Sequence, residues 1–176
     1  DLMHYTNSGE MIHAGIAYIK NMEDGLPKRK AIAWLLGYSA HMITDVTIHP
    51  IVELKVGPYA ENKTAHRKCE MHQDSYIFQR LNLGKVGISE HFESGIRKCG
   101  KNGDLDSEIS LMWASMLNSV YPKEFIANKP DTNKWHKAFD LMVNKIAEEG
   151  YKLVPLARHV AVNCGLTYPD LNKIDN

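Results

Sequence analysis

The sequence predicts an all-α protein, a single-domain helical bundle spanning residues 1–176. Two observations predict this class: apolar residues recur at helical spacing along most of the chain, and no alternating strand pattern of useful length is present. Hydrophobic residues make up 44% of the chain, which at this length is enough for one substantial core. No internal repeat or low-complexity tract interrupts the pattern, and six to eight helices are expected.

The first helix is predicted over residues 8–22, with Ser8 as its N-cap. A connector follows at residues 23–30, where Asp-Gly and Pro occur. The second helix, residues 31–48, is apolar on nearly every side, which predicts a helix buried in the middle of the bundle. Polar side chains inside it would be costly unless they are paired or bound to a metal.

Pro50 disfavours helical geometry at His49, so the second helix is expected to end there. Residues 50–63, with Gly57-Pro58, then form a loop. The third helix is predicted over residues 64–81. Four further helices are expected at residues 89–98, 106–121, 131–149 and 152–163, the second of them capped by Asp104 or Asp106.

The charge balance gives no sign of a highly charged partner. Twenty-one basic side chains offset 21 acidic ones, so no overall field favours nucleic acid or an anionic membrane. Three widely spaced Cys do not form a disulfide framework or a thiolate zinc motif. No apolar run long enough to cross a bilayer and no signal-peptide pattern stand out, and the compartment stays open.

Five potential metal ligands lie within thirty residues of one another. His41 and Asp45 are four apart, as are His66 and Glu70, and residues four apart share one face of a helix. Because Pro50 ends the second helix in this interpretation, His49 can turn toward the second pair. Imidazole and carboxylate are zinc ligands, and two neighbouring ions suit phosphoester hydrolysis.

These residues resemble a known family. GYSAHMITDVTIHP at residues 37–50, followed by HRKCE at residues 66–70, looks like the zinc-dependent phospholipase C family of secreted bacterial enzymes and clostridial toxins. The resemblance covers about residues 1–80. It implies an all-α bundle of the phospholipase C and zinc nuclease type that holds a cluster of zinc ions.

The resemblance also implies how the ligands are shared. Asp1, His4, His41 and Asp45 would hold one zinc ion, and the other ion would be held by three further residues, His49, His66 and Glu70. Asp1 is also the implied catalytic base. His13 and His72 are weaker candidate ligands, and His13 competes with His4. Two ions are expected, and a third, which the family binds through its N-terminal amine and an early His, is left open.

The function implied by the resemblance is phospholipase C-like. Metal-bound hydroxide would attack the head-group phosphodiester of a phospholipid, with transient contact to a membrane surface and no nucleic-acid partner. The alternatives are a related zinc nuclease or phosphomonoesterase, and a non-catalytic member that binds metal or lipid. Head group, metal identity and oligomeric state stay open.

Overall fold

A computed structural model describes residues 3, 6–82, 99–101 and 103–141. The predicted all-α class is confirmed within these residues. They contain six helices: α1 Ser8–Lys20, α2 Leu26–Val56, α3 Tyr59–Arg80, α4 Ser107–Val120, α5 Pro122–Ala127 and α6 Thr132–Leu141. The helices predicted at residues 89–98 and 152–163, and the end of the one at 131–149, lie outside the described residues.

One short hairpin precedes α4. Strands β1 Gly100–Lys101 and β2 Asp104–Leu105 pair antiparallel, with Gly103 at a φ of 82° in the turn between them. These strands were not predicted, because a strand of two residues is too short to show an alternating pattern.

The described residues form two compact units. The first is drawn from Asp1–Val46 and Lys98–Ala138, and the second from Thr47–Arg97 and Phe139–Asn176. Helix α2 contributes to both units. The prediction of a single domain over residues 1–176 stays a prediction. Among the described helices, none is both long and apolar enough to cross a bilayer.

The first unit has an apolar core in which α1 packs against α4. Gly15 marks the closest approach in this core, because a Cβ at that position would lie 2.6 Å from a Leu35 methyl and 3.2 Å from Met116 Sδ. Only glycine therefore allows the backbone of α1 to lie so close to its neighbours. The fully buried apolar side chains here belong to Met11, Ala31, Met112 and Met116.

Helix α1 begins differently from the prediction. Asn7, not Ser8, is the N-cap residue, and it adopts a left-handed conformation with a φ of 50°. The buried stripe of α1 is Met11, Gly15 and Ile19, whereas Ile16 is 40% exposed.

Helix α4 confirms one of the two caps left open by the sequence. Asp106 is the N-cap residue, and its side chain accepts a hydrogen bond of 3.0 Å from the backbone N–H of Glu108. The Lys30 ammonium also donates to this carboxylate. That hydrogen bond, more than any other cause, lowers the pKa of Asp106 below its ordinary value.

Helix α2 overturns two predictions. It continues through Pro50 to Val56, so neither the helix end at His49 nor the loop at residues 50–63 is correct. The proline removes one backbone hydrogen bond, but the helix beyond it buries Val52 completely, and that burial opposes part of the cost. The helix is also not buried on every side, since Leu36 and Ile43 are each 65% exposed.

Candidate metal centre

The candidate centre begins on α3. His66 and Glu70 lie one turn apart, and Glu70 Oε1 is 3.2 Å from His66 Nε2. His66 is only 2% exposed, whereas the Glu70 side chain is 35% exposed. The predicted pair therefore forms as expected, with an imidazole anchored in the interior and a carboxylate that reaches toward solvent.

His49 joins this pair from α2. Its Nε2 is 3.1 Å from Glu70 Oε1, and its ring centroid is 4.9 Å from that of His66. The contact of His49 with the second pair was predicted, but the reason given for it was wrong, because α2 does not end before Pro50. Instead, α2 carries His49 on its final turns, and the short connection at Gly57 and Pro58 leads directly into α3.

The geometry of the three side chains fits a zinc ion. One ligand atom from each of His49, His66 and Glu70 lies within 4.8 Å of the others. Two atoms bound to the same tetrahedral zinc ion are about 3.4 Å apart. The distances of 3.1 and 3.2 Å to Glu70 Oε1 are close to this spacing.

The nitrogens of His66 supply the independent test of that fit. Among the described residues, neither Nδ1 nor Nε2 has a hydrogen-bond partner, although both are buried. Nε2 lies near Glu70 Oε1, but it is not aligned for a hydrogen bond with that oxygen. Leaving a buried polar group unpaired costs about 1–3 kcal/mol. A metal ion between these atoms would satisfy Nε2 and remove its share of that cost.

The other predicted pair also forms, on the part of α2 that belongs to the first unit. His41 Nε2 is 3.4 Å from Asp45 Oδ2, and the two side chains are 51% and 23% exposed. Both belong to the first unit, whereas the other three ligands belong to the second. Their assignment to a separate metal ion stays a prediction.

The remaining candidates are less defined. Asp1 and His4 lie outside the described residues, so their predicted roles as base and ligands stay predictions. His13 is exposed on α1, and His72 is partly buried on α3. In the part of the chain that the structure describes, neither belongs to a group of potential ligands at metal-binding distance.

Tyr59 is a neighbour of the centre that the sequence did not single out. Its ring centroid lies 5.0 Å from that of His66, with the two rings at 83°. The contact was not predicted because residues 50–63 were expected to form a loop, whereas α3 starts at Tyr59. The Gly57-Pro58 pair was the available signal, since such a pair can also mark the start of a new helix.

The fold and the centre together define an all-α protein with a zinc-type His-His-Glu ligand group. The family model described as zinc dependent phospholipase C matches residues 1–123. The chain therefore belongs to the zinc-dependent phospholipase C family, a family of hydrolases. The match extends well past residue 80, where the resemblance from the motifs ended. No curated protein and no solved structure matches the chain.

Proposed function

We propose that this protein hydrolyses the head-group phosphodiester of a phospholipid and uses zinc held by His49, His66 and Glu70. The observation that carries the proposal is the convergence of these three side chains around a buried imidazole with no hydrogen-bond partner among the described residues. Three protein ligands leave a fourth tetrahedral position free, which is typical of catalytic rather than structural zinc. Bound zinc would supply Lewis acidity toward the phosphoryl oxygens and a water molecule acidic enough to react near neutral pH.

The charge of the ligand group suits an anionic substrate. Two neutral imidazoles and one carboxylate offset only one of the two positive charges of zinc, so the centre keeps a net charge of about +1. A phosphodiester carries one negative charge and would be attracted to it. His49 and Glu70 are each 35% exposed, which gives a substrate access, while the buried His66 anchors the group.

The proposal extends to a second ion. His41 and Asp45 would bind it together with Asp1 and His4, and Asp1 would accept the proton of the attacking water. The support for this part is the family pattern and the 3.4 Å spacing of the His41–Asp45 pair. Transient contact with a lipid surface would deliver the substrate.

The test combines metal content with a substrate panel. Purified protein is analysed for zinc by elemental emission and then incubated with phosphatidylcholine vesicles, single-stranded DNA or a phosphomonoester. We expect about two zinc ions per chain, release of the phosphorylated head group from the vesicles, and loss of activity with a chelator. Preferred cleavage of DNA or of the phosphomonoester would contradict the phospholipase assignment. Zinc-loaded protein that cleaves none of the three would contradict any catalytic role.

Two ligand variants and one control make this test specific. Replacing His66 or His41 with Ala should each remove about one equivalent of zinc and abolish hydrolysis. His136, a partly buried histidine on α6, is the matched control, and His136→Ala should keep both zinc and activity. Retention of two equivalents by His66→Ala or His41→Ala would overturn the corresponding ligand assignment.

A further inference from the structure

We infer that Tyr59 is a positioning residue of the metal centre, whose aromatic ring holds the imidazole of His66 in the orientation that binds zinc. This inference rests on the metal centre of the proposed function. It concerns what keeps the most buried ligand in place before and after the ion binds.

The ring of His66 meets the rings of His49 and Tyr59 edge to face. The centroid of His66 is 4.9 Å from that of His49 and 5.0 Å from that of Tyr59, and each pair of rings meets at 83°. Rings at this distance and angle attract each other, because the edge of one ring faces the electron-rich face of the other. Because His49 is itself a candidate ligand, Tyr59 is the contact available to orient His66 independently of the metal.

Among the described residues, no protein group holds the His66 ring by a hydrogen bond. A zinc-binding histidine usually donates its other ring N–H to a carboxylate, carbonyl or water, which holds the ring at one angle. Within the described residues, His66 Nδ1 has no such partner. Packing around the buried ring therefore limits its rotation about the side-chain bonds, and Tyr59 is one of the residues that pack against it.

The local backbone holds Tyr59 in position. Gly57 has a φ of 87°, a left-handed conformation that favours glycine, and it turns the chain between α2 and α3. The backbone N–H of Tyr59 donates to Glu53 Oε1 at 3.2 Å. Asn62 interrupts the helical geometry just after the first turn of α3, and its side chain donates to the carbonyl of Pro58 at 3.1 Å. The first turn of α3 is thus tied to the end of α2, and Tyr59 is tied with it.

The test measures zinc affinity directly, by competition with a chromogenic chelator, in full-length variants. Tyr59→Ala should weaken zinc binding about 10- to 100-fold, the loss usual for groups that orient metal ligands. Tyr59→Phe keeps the ring and should bind zinc within about twofold of wild type. Tyr59→Leu keeps apolar bulk without a ring, and it replaces the Ala variant in the comparison if that variant does not fold. It should also bind zinc more weakly than Tyr59→Phe.

Tyr76 provides a matched control on the same helix. It is 42% exposed, compared with 38% for Tyr59, and its hydroxyl accepts a hydrogen bond of 3.1 Å from Arg80. Tyr76→Ala should leave zinc affinity within about twofold of wild type, because it removes a similar ring away from the ligands. Equal affinities for Tyr59→Ala and Tyr76→Ala would overturn the inference. So would a Tyr59→Phe variant as weak as Tyr59→Ala, because the hydroxyl rather than the ring would then be responsible.

The visible spectrum of bound Co²⁺ separates positioning from general stability. If Tyr59 orients His66, the Ala variant should show a changed absorption band per bound ion, and Tyr59→Phe should restore the wild-type band. An unchanged band in the Ala variant would contradict the inference. The predicted order of affinities without any hydrolysis would support this inference while contradicting the proposed function, whereas a wild-type protein that binds no zinc would contradict both.

Discussion

The interiors of the two units differ in chemistry. In the first unit the completely buried side chains are apolar, and methionines at positions 11, 112 and 116 fill the space between helices. In the second unit the buried set includes His66 and Ser75, and the polar side-chain atoms of both have no hydrogen-bond partner among the described residues. The first interior also contains an unpaired buried polar atom, Trp113 Nε1, but an indole N–H can only donate a hydrogen bond. An imidazole nitrogen such as Nε2 of His66 can instead bind a metal ion.

This difference shows where a binding site can be recognised from structure. Unpaired polar atoms in an interior are rare, and each needs an explanation such as a catalytic role or an ion. The His41–Asp45 pair makes the contrast clearer, because it has the same spacing as His66–Glu70 but its imidazole is 51% exposed, compared with 2% for His66. Spacing alone therefore did not separate the two pairs, whereas burial did.

The largest expected effect is the loss of zinc-dependent stability when His66 is replaced. At free zinc about 1,000-fold above its Kd, zinc should stabilise the wild-type protein by about 4 kcal/mol per site. His66→Ala should lose this increment for its own site, because the buried anchor of the ligand group is gone. Urea unfolding with zinc and with a chelator measures both values. A zinc increment that survives intact in His66→Ala would refute the placement of the ion.

A smaller effect is expected in the apolar interior. Met116 is completely buried, and Met116→Ala should lower the free energy of unfolding by about 2–5 kcal/mol through lost burial and a residual cavity. Because no ligand is involved, the loss should be equal with zinc and with a chelator. The same urea experiment measures it, and a loss seen only in the presence of zinc would remove the distinction between the two units.

The smallest effect concerns the N-cap of α4 in the first unit. Asp106→Ala removes the cap and should cost about 1 kcal/mol at pH 7, whereas Asp106→Asn keeps capping ability but loses the interaction with Lys30. The lowered pKa of Asp106 means that its carboxylate stabilises the fold above the unfolded-state pKa of about 3.9 and stops doing so as the pH falls below it.

Unfolding measured between pH 7 and pH 3 checks this sign. The difference in stability between wild type and Asp106→Asn should shrink below about pH 4, because the unfolded wild-type chain then binds a proton at Asp106 while the folded chain does so only at a lower pH. The difference should not depend on zinc. A gap that widens as the solution becomes more acidic would contradict the direction of the pKa shift.

Helix positions were more predictable than helix ends and burial. The period of apolar residues predicted α1 and α4, and an acidic residue before α4 predicted its cap. The predicted end of α2 was wrong because it considered only the restriction that Pro50 places on the backbone of His49, and not the burial of Val52 beyond it. Burial on α3 also departs from residue hydrophobicity, since Ile77 is 49% exposed while Ser75 is completely buried.

By itself, the sequence determined which side chains could act as ligands and which of them pair locally. His41 with Asp45, and His66 with Glu70, follow from four-residue spacing, because one helical turn brings such residues together whatever surrounds the helix. Tertiary structure decided the rest. It made α2 continuous through Pro50, so that His49 reaches Glu70 from the helix itself, and it buried His66 with Tyr59 beside it. Such contacts depend on how helices pack, and that packing reflects free energies summed over many residues rather than the spacing of a few.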